Sequence, residues 1–262
     1  MKSTVRFALV SFAALLTTAG IALADDPAAS RPSTHPRNSL GLGIVSAPTP
    51  YRGAENRLLP IPLVELYYKR LYVQGILAGF RVLGGDDLHL DLRLRWSFLE
   101  LDPDDSPFLE GMSPRDPTAL GGLALEWNHR KLQVSGTLLA DLLGNSNGLG
   151  GSLLASWREP VMNGRLMLIA SLGVAYQDAK TIDYYFGVTP DEATEERPAY
   201  RGTAAWNPTL RFNAFFRITP RLNLVAHLAG QSLDNEIRNS PIVDDSWGYE
   251  AVLGLTYSLG SR

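Results

Sequence analysis

His89, Asp91, Arg93, Arg95 and Ser97 stand at alternate positions on one short segment, and His227 lies further along the chain. Either histidine with Asp91 and Ser97 has the residue types of a Ser-His-Asp hydrolytic site. In such a site the imidazole takes the hydroxyl proton and the carboxylate orients the ring. Residues in series on one strand face do not by themselves give that geometry. The preferred reading is a polar network of ion pairs and hydrogen bonds made by His89, Asp91, Arg93, Arg95, Arg211, Arg217, His227 and Glu250. Arg93, Arg95, Arg211 and Arg217 could also line an anion-selective pore. The neighbouring acids Glu65, Asp91, Glu126, Asp141 and Glu250 favour pairing over selectivity. Asp102, Asp104 and Asp105 are oxygen donors of the kind calcium takes, but Pro103 interrupts them and no ligand loop follows. The Gly-Gly pairs at 84–85, 121–122 and 150–151 lack the Lys-Ser/Thr of a phosphate loop and read as turns or bulges. With no cysteine in the chain, thiolate metal sites, thiol nucleophiles and disulfides are excluded. The expectation is a protein without catalytic residues, cofactor or metal. A formal net charge of −3 with no basic block argues against nucleic acid as a partner.

The elements that would carry these side chains are strands. From Leu88 the chain reads Leu-His-Leu-Asp-Leu-Arg-Leu-Arg-Trp-Ser-Phe, with Leu88, Leu90, Leu92, Leu94, Trp96 and Phe98 on one face and His89, Asp91, Arg93, Arg95 and Ser97 on the other. A helix would scatter that charge around its whole circumference, whereas a period of two sorts it onto one face. The same alternation recurs around 131–141, 166–176, 210–218, 222–229 and 247–259. Weaker candidates are Ser39–Ser46, Leu58–Tyr68, Leu71–Leu83, Gly121–His129 and Leu149–Arg158.

These segments run long for globular strands and suit the roughly 9–11 residues that cross hydrocarbon at a tilt. Tight turns are expected at Lys69-Arg70, Asn128–Arg130, Met162–Gly164 and Thr219–Arg221, and long polar connections at 48–57, 102–117, 178–202 and 234–246. Trp127, Trp157, Tyr176, Trp247, Tyr249 and Tyr257 fall near strand ends, where aromatic girdles meet headgroups. A mean hydropathy near zero is what alternate apolar and polar faces produce. The pattern predicts an all-β fold: a closed antiparallel transmembrane β-barrel of ten to twelve strands, with short periplasmic turns, long external loops and outer-membrane lipid around it. About eleven segments are visible, while termini on one side require an even count. Either the Leu71–Leu101 region divides differently or a long loop hides a strand. Residues 1–24 have the charged start (Lys2, Arg6), short apolar run and Ala22-Leu23-Ala24 ending of a cleaved export signal. Residues 25–38 read as a flexible leader and 39–262 as the barrel, placing the protein in the outer membrane of a Gram-negative cell. In the longest loop Tyr184, Tyr185 and Phe186 adjoin Asp191, Glu192, Glu195 and Glu196. That composition fits either a contact surface or a loop folded back into the barrel mouth.

Several short motifs, in order, resemble the MltA-interacting protein family, MipA/OmpV. They are Tyr51-Arg52-Gly53 followed by Leu58-Leu59-Pro60-Ile61-Pro62, Leu109-Glu110-Gly111-Met112, Tyr184 to Thr189 with Gly187, and Ser240-Pro241-Ile242-Val243. The closing stretch Gly254-Leu-Thr-Tyr257-Ser-Leu259 also resembles the last strand of outer-membrane barrels. It ends on Leu rather than Phe or Tyr, and Gly260-Ser261-Arg262 extend past it. The resemblance spans about 39–259. It implies an outer-membrane barrel that scaffolds a lytic transglycosylase and a bifunctional murein synthase, and it carries no catalytic residues. The rival reading from the residues is a small-solute channel, with an outer-membrane hydrolase as a distant third.

Overall fold

The computed structural model describes residues 38–46, 49–54, 56 and 58–259. The export signal and nearly all of the leader lie outside them. The chain forms twelve strands: β1 (Ser39–Ser46), β2 (Leu58–Tyr68), β3 (Leu71–Gln74), β4 (Leu77–Gly84), β5 (Leu88–Ser97), β6 (Thr118–His129), β7 (Leu132–Asp141), β8 (Leu149–Val161), β9 (Leu166–Gln177), β10 (Ala205–Arg217), β11 (Leu222–Ser232) and β12 (Trp247–Ser258). Each pairs antiparallel with its sequence neighbours, and β1 closes on β12 from Ser39↔Ser258 to Ser46↔Ala251. Closure leaves the ladder almost without an edge, which a sheet in hydrocarbon requires.

The segment expected as one strand over Leu71–Leu83 is two, β3 and β4, turning at Gly75-Ile76. This supplies the missing strand and makes the count even. β6 also runs to His129, so the tight turn there lies at 130–131 rather than over Asn128–Arg130. Short connections at 69–70, 85–87, 130–131, 162–165 and 218–221 form the periplasmic rim, with both strand termini beside them. The long connections gather at the external rim.

Alternation turns the molecule inside out relative to a soluble protein. On β5, Leu92 is 50% exposed and Leu94 48%, while Asp91 and Arg93 beside them are 1% and 3% exposed. On β10, Leu210 and Phe212 face outward and flank Arg211, which is 1% exposed. Only a membrane makes that arrangement favourable, since lipid covers the apolar faces and the lumen pairs the charges. Trp206 leans on Tyr176 at the external ends of β10 and β9, with ring centroids 4.6 Å apart. Trp247 and Tyr249 hold the same end of β12, and Tyr257 its periplasmic end.

Position 210, next to the buried Arg211, tests this sidedness. Leu210→Arg is expected to cost about 2–4 kcal/mol near the bilayer midplane, measured by denaturant titration of refolded protein in lipid vesicles. A loss below about 0.5 kcal/mol would place position 210 away from lipid.

Candidate functional site

Two built features occupy the barrel interior. The first is a belt of polar side chains across its inner wall. On β3 to β5 the Tyr72 hydroxyl donates to Asp91 Oδ2 at 2.8 Å and Arg81 Nε donates to Oδ1 at 3.0 Å. Arg93 Nε donates to the Tyr72 oxygen at 3.1 Å, and the Arg93 Nη2 pairs with Glu126 on β6. Gln133 on β7 donates to Glu126 at 3.2 Å and accepts from Arg158 on β8 at 2.8 Å. Ser156 and Ser171 join β8 to β9 at 2.8 Å. Further round, Asn213 on β10 meets His227 Nδ1 on β11 at 2.7 Å, and His227 Nε2 lies 3.6 Å from Glu250 on β12. Arg95 and Arg211 act on Glu250 through their charges. Ser39 donates to Glu65 at 3.1 Å between β1 and β2. Arg81, Arg93, Arg95, Arg158 and Arg211 therefore face Glu65, Asp91, Glu126 and Glu250, a near balance that does not make a single-sign pore lining.

The belt contains Asp91, Arg93, Arg95, Arg211, His227 and Glu250. His89 faces the lumen across from Glu126, and its Nδ1 makes no hydrogen bond. Arg217 does not join the belt. It ends β10 at the periplasmic rim, exposed, and reaches the Gly164 carbonyl at 3.4 Å. No hydrogen bond links His89 or His227 to Asp91 or Ser97, so the residue types of a hydrolytic triad lack its geometry. Asp141 turns outward to the connection 142–148. Its carboxylate accepts from Thr118 and from the backbone N–H groups of Leu143, Gly144, Ser146 and Asn147. Asp102 caps a single 3-10 turn through the Asp104 N–H. Among the described residues no cluster of three or more acids and histidines is placed to hold a metal.

The second feature is a plug in the external mouth. The stretch holding Tyr184, Tyr185 and Phe186 is not an exposed contact loop but a helix, α1 (Ala179–Phe186). Asp178 starts it by accepting the Thr181 N–H at 3.0 Å, one of the donors a helix start leaves open. Ile182, Tyr185 and Phe186 are buried against Tyr51, Leu109, Met112, Leu233, Ile242 and Val243. A short helix, α2 (Asn235–Arg238), adds Ile237. The Tyr51 hydroxyl donates to the Tyr185 carbonyl at 3.1 Å, and its full burial pushes the phenol well above its ordinary value. Ser240 Oγ donates to the Phe186 carbonyl at 2.6 Å. Gly53 has φ +74, and a Cβ there would meet Ser106 Oγ at 2.6 Å. Gly111 has φ +83 at the turn before Met112. Gly187 closes α1, where a Cβ would meet the Asp183 carbonyl at 2.2 Å. Four motifs far apart in sequence thus build one apolar core.

Glu192 latches the plug. Its carboxylate accepts from Ser113 N–H at 2.9 Å and Thr189 N–H at 3.0 Å, and pairs with Arg115 Nη2 at 2.9 Å. Arg197, 3% exposed, donates to the carbonyls of Glu192, Phe108 and Glu110. Burial alone would raise the Glu192 carboxyl, but the Ser113 and Thr189 amides and the Arg115 guanidinium outweigh it and bring it to about 2. Arg115 and Arg197 carry no periodic signal, and sequence reading did not single them out. Between plug and belt lies a cavity of about 110 Å³, bordered by Tyr185, Phe186 and Ile237 above and by Arg95, Thr118 and Gln231 on the wall.

Two outcomes follow. Removing one partner of a buried ion pair leaves a charge stranded, so Glu126→Ala is expected to cost about 3–5 kcal/mol in denaturant titration, and Glu126→Gln less. A cost under 1 kcal/mol would mean that Arg93 does not depend on Glu126. The latch has a defined pH window. Because the folded Glu192 carboxyl sits near 2 against an ordinary 4.5, its contribution is complete above about 4.5 and is lost as pH falls toward 2. Hydrogen exchange over 178–202 should be flat from pH 7 to 5, after correction for intrinsic rates, and rise below 4. Glu192→Gln should remove that dependence.

Comparison with known proteins places the architecture. The family model described as MltA-interacting protein MipA matches residues 40–259. The outer membrane protein YiaT of Escherichia coli (strain K12) is 32% identical over 222 residues, covering 84% of this chain and 89% of that one. The MltA-interacting protein of the same strain is 24% identical, covering 93% and 94%. Among solved structures, a NanC porin shares 10% identity at a TM-score of 0.44, covering 83% of this chain and all of that one. With a family model spanning the whole barrel and a relative above 30% identity, this chain is a member of the MltA-interacting protein MipA family, a twelve-stranded barrel of the outer membrane.

Proposed function

We propose that the protein is a docking platform in the outer membrane for murein-processing enzymes, a lytic transglycosylase and through it a bifunctional murein synthase. The observation that carries this reading is the charge of the periplasmic rim. The short turns and strand ends there carry Lys69, Arg70, Arg130, Lys131, Arg165, Arg217 and Arg221, all exposed, against Asp86, Asp87 and Glu159. The external connections have the opposite character, with Asp102, Asp104, Asp105, Asp191, Glu195, Glu196, Asp244 and Asp245. A basic ring facing the periplasm steers and orients an acidic partner. A lumen filled by belt and plug leaves the rims as the surfaces on which the barrel meets other macromolecules. The name of the Escherichia coli relative at 24% identity points the same way, toward contact with MltA.

The test is retention of a purified lytic transglycosylase by immobilised barrel at several salt concentrations. Wild type should retain it at 50 mM salt and progressively less as screening increases. The triple variant Lys69→Glu, Arg70→Glu, Arg130→Glu should reduce retention at least tenfold while keeping heat-modifiable migration on gels. No retention by wild type would overturn the platform reading, and unchanged retention by the variant would overturn the role of the rim. The rival small-solute channel is separated in planar bilayers. Belt and plug predict no steady conductance from wild type and opening events from Arg115→Ala, whereas steady wild-type conductance would favour the channel.

A further inference from the structure

Among the described residues, the barrel wall lacks two strands over part of its height, because β3 and β4 are short. The tip of the β3–β4 hairpin reaches only Val64 on β2, whose carbonyl accepts the Gly75 N–H at 2.7 Å, and Trp96 on β5, whose N–H donates to the Ile76 carbonyl at 3.2 Å. Beyond the tip, β2 continues from Leu63 to Leu58 with β1 on one side and, among the described residues, no strand on the other. Across the gap, among the described residues, Ser97 pairs toward β6 alone and Leu101 with Arg115 alone. Each absent strand would occupy about 4.8 Å of wall. The gap opens at hydrocarbon depth. Pro60 and Pro62 register with Ile44 and Leu42, and these with Leu253 and Leu255, all on the exposed apolar face.

The open edge is built to remain unpaired. Backbone groups of alternate residues point to the same side of a strand. The Val64 carbonyl points toward the hairpin, so the backbone of Pro62, Pro60 and Leu58 points into the gap. Proline has no N–H, so two of those three positions present no unsatisfied donor to lipid. The same prolines block the addition of a partner strand. Behind the gap the lumen changes character. Leu59, Ile61 and Leu63 pack with Val45 and Val252 as a separate apolar cluster, and Leu63 lies so close over Gly254 that a Cβ there would meet its Cδ1 at 2.5 Å. On the opposite flank Arg95, Ser97 and Leu99 border the cavity beneath the plug.

We infer that the gap is a lateral portal for a single-chain amphiphile of the outer membrane. Its acyl tail lies against Leu59, Ile61 and Leu63, and its anionic end turns toward Arg95 at the edge of the cavity. An apolar entrance at bilayer depth, an edge that refuses a strand and a cation beyond an apolar lining together select an acyl chain over a peptide. This site stands independently of any murein partner.

The experiment uses wild-type protein in detergent micelles, photolabelled with a diazirine-bearing palmitate and mapped by peptide mass spectrometry. Adducts on Leu59, Ile61 or Leu63 and on 97–99, displaced by excess palmitate, are expected. Ile61→Asp should lower that labelling at least tenfold while retaining heat-modifiable migration. Adducts confined to outward residues such as Leu42, Pro60 and Leu210 would overturn the portal, because any lipid-facing wall labels in that way. Labelling that excess palmitate does not displace would also overturn it. The wild-type map decides the matter even where the variant does not fold.

Discussion

A backbone amide in hydrocarbon has no water to bond, and leaving it unpaired costs several kcal/mol. Nearly everything in this barrel depends on that constraint. It forces the sheet to close, and closure with both termini on one rim forces an even strand count. Once closed, the sheet has two faces with different solvents. The outward Leu, Ile and Phe residues and the inward Asp, Glu and Arg residues are each the low-energy choice for the face they occupy. The absence of cysteine fits the same picture, because a closed ladder holds its geometry without covalent staples.

Closure creates a second problem, since a twelve-stranded barrel encloses a lumen that must be filled or left as a channel. The fill is of two kinds, divided by height. Level with the bilayer, side chains from neighbouring strands pair with one another around the wall, so that Asp91, Arg93 and Glu126 are buried as partners. At the external mouth, connections too long to serve as turns fold inward and bury Tyr51, Leu109, Met112, Ile182, Tyr185, Phe186 and Ile242. This is a small globular core inside a membrane protein, organised by the ordinary preference of apolar side chains for one another in water. The Glu192 carboxylate ties its loops together by bonding to Ser113, Arg115 and Thr189 at once.

What could be read from the sequence follows the same division. The run Leu88–Phe98 reveals its strand and both of its faces because period-two alternation is local and long enough to count. The four residues of β3 are too few for any period, so β3 and β4 merge into one segment on paper. They separate only through pairing with β2 and β5. Arg217 alternates correctly with Arg211, but alternation gives the face and not the height, and Arg217 lies beyond the belt. The plug was least legible. Asp178 is a good helix cap and Tyr184, Tyr185 and Phe186 a plausible apolar face, yet what buries them comes from three other connections. Arg115 and Arg197 belong to no pattern at all, and their roles exist only once the loops meet.

The short motifs acquire physical meaning when sorted by location. Tyr51, Gly53, Gly111, Met112, Gly187 and Ser240 belong to the plug, as packed side chains, as positions where a side chain would collide, as left-handed turns or as loop-to-loop hydrogen bonds. Pro60 and Pro62 belong to none of these. Their spacing of two puts both missing donors on the same side of β2, the side facing the gap, whereas a spacing of one or three would have removed a donor from the ladder with β1. Two prolines in a membrane strand therefore cost the sheet no hydrogen bond here. They act only on the edge that the short hairpin leaves open. A chain that merely tolerated a short hairpin would have no need of prolines in that phase, so the phase itself argues that the open edge is a maintained part of the wall.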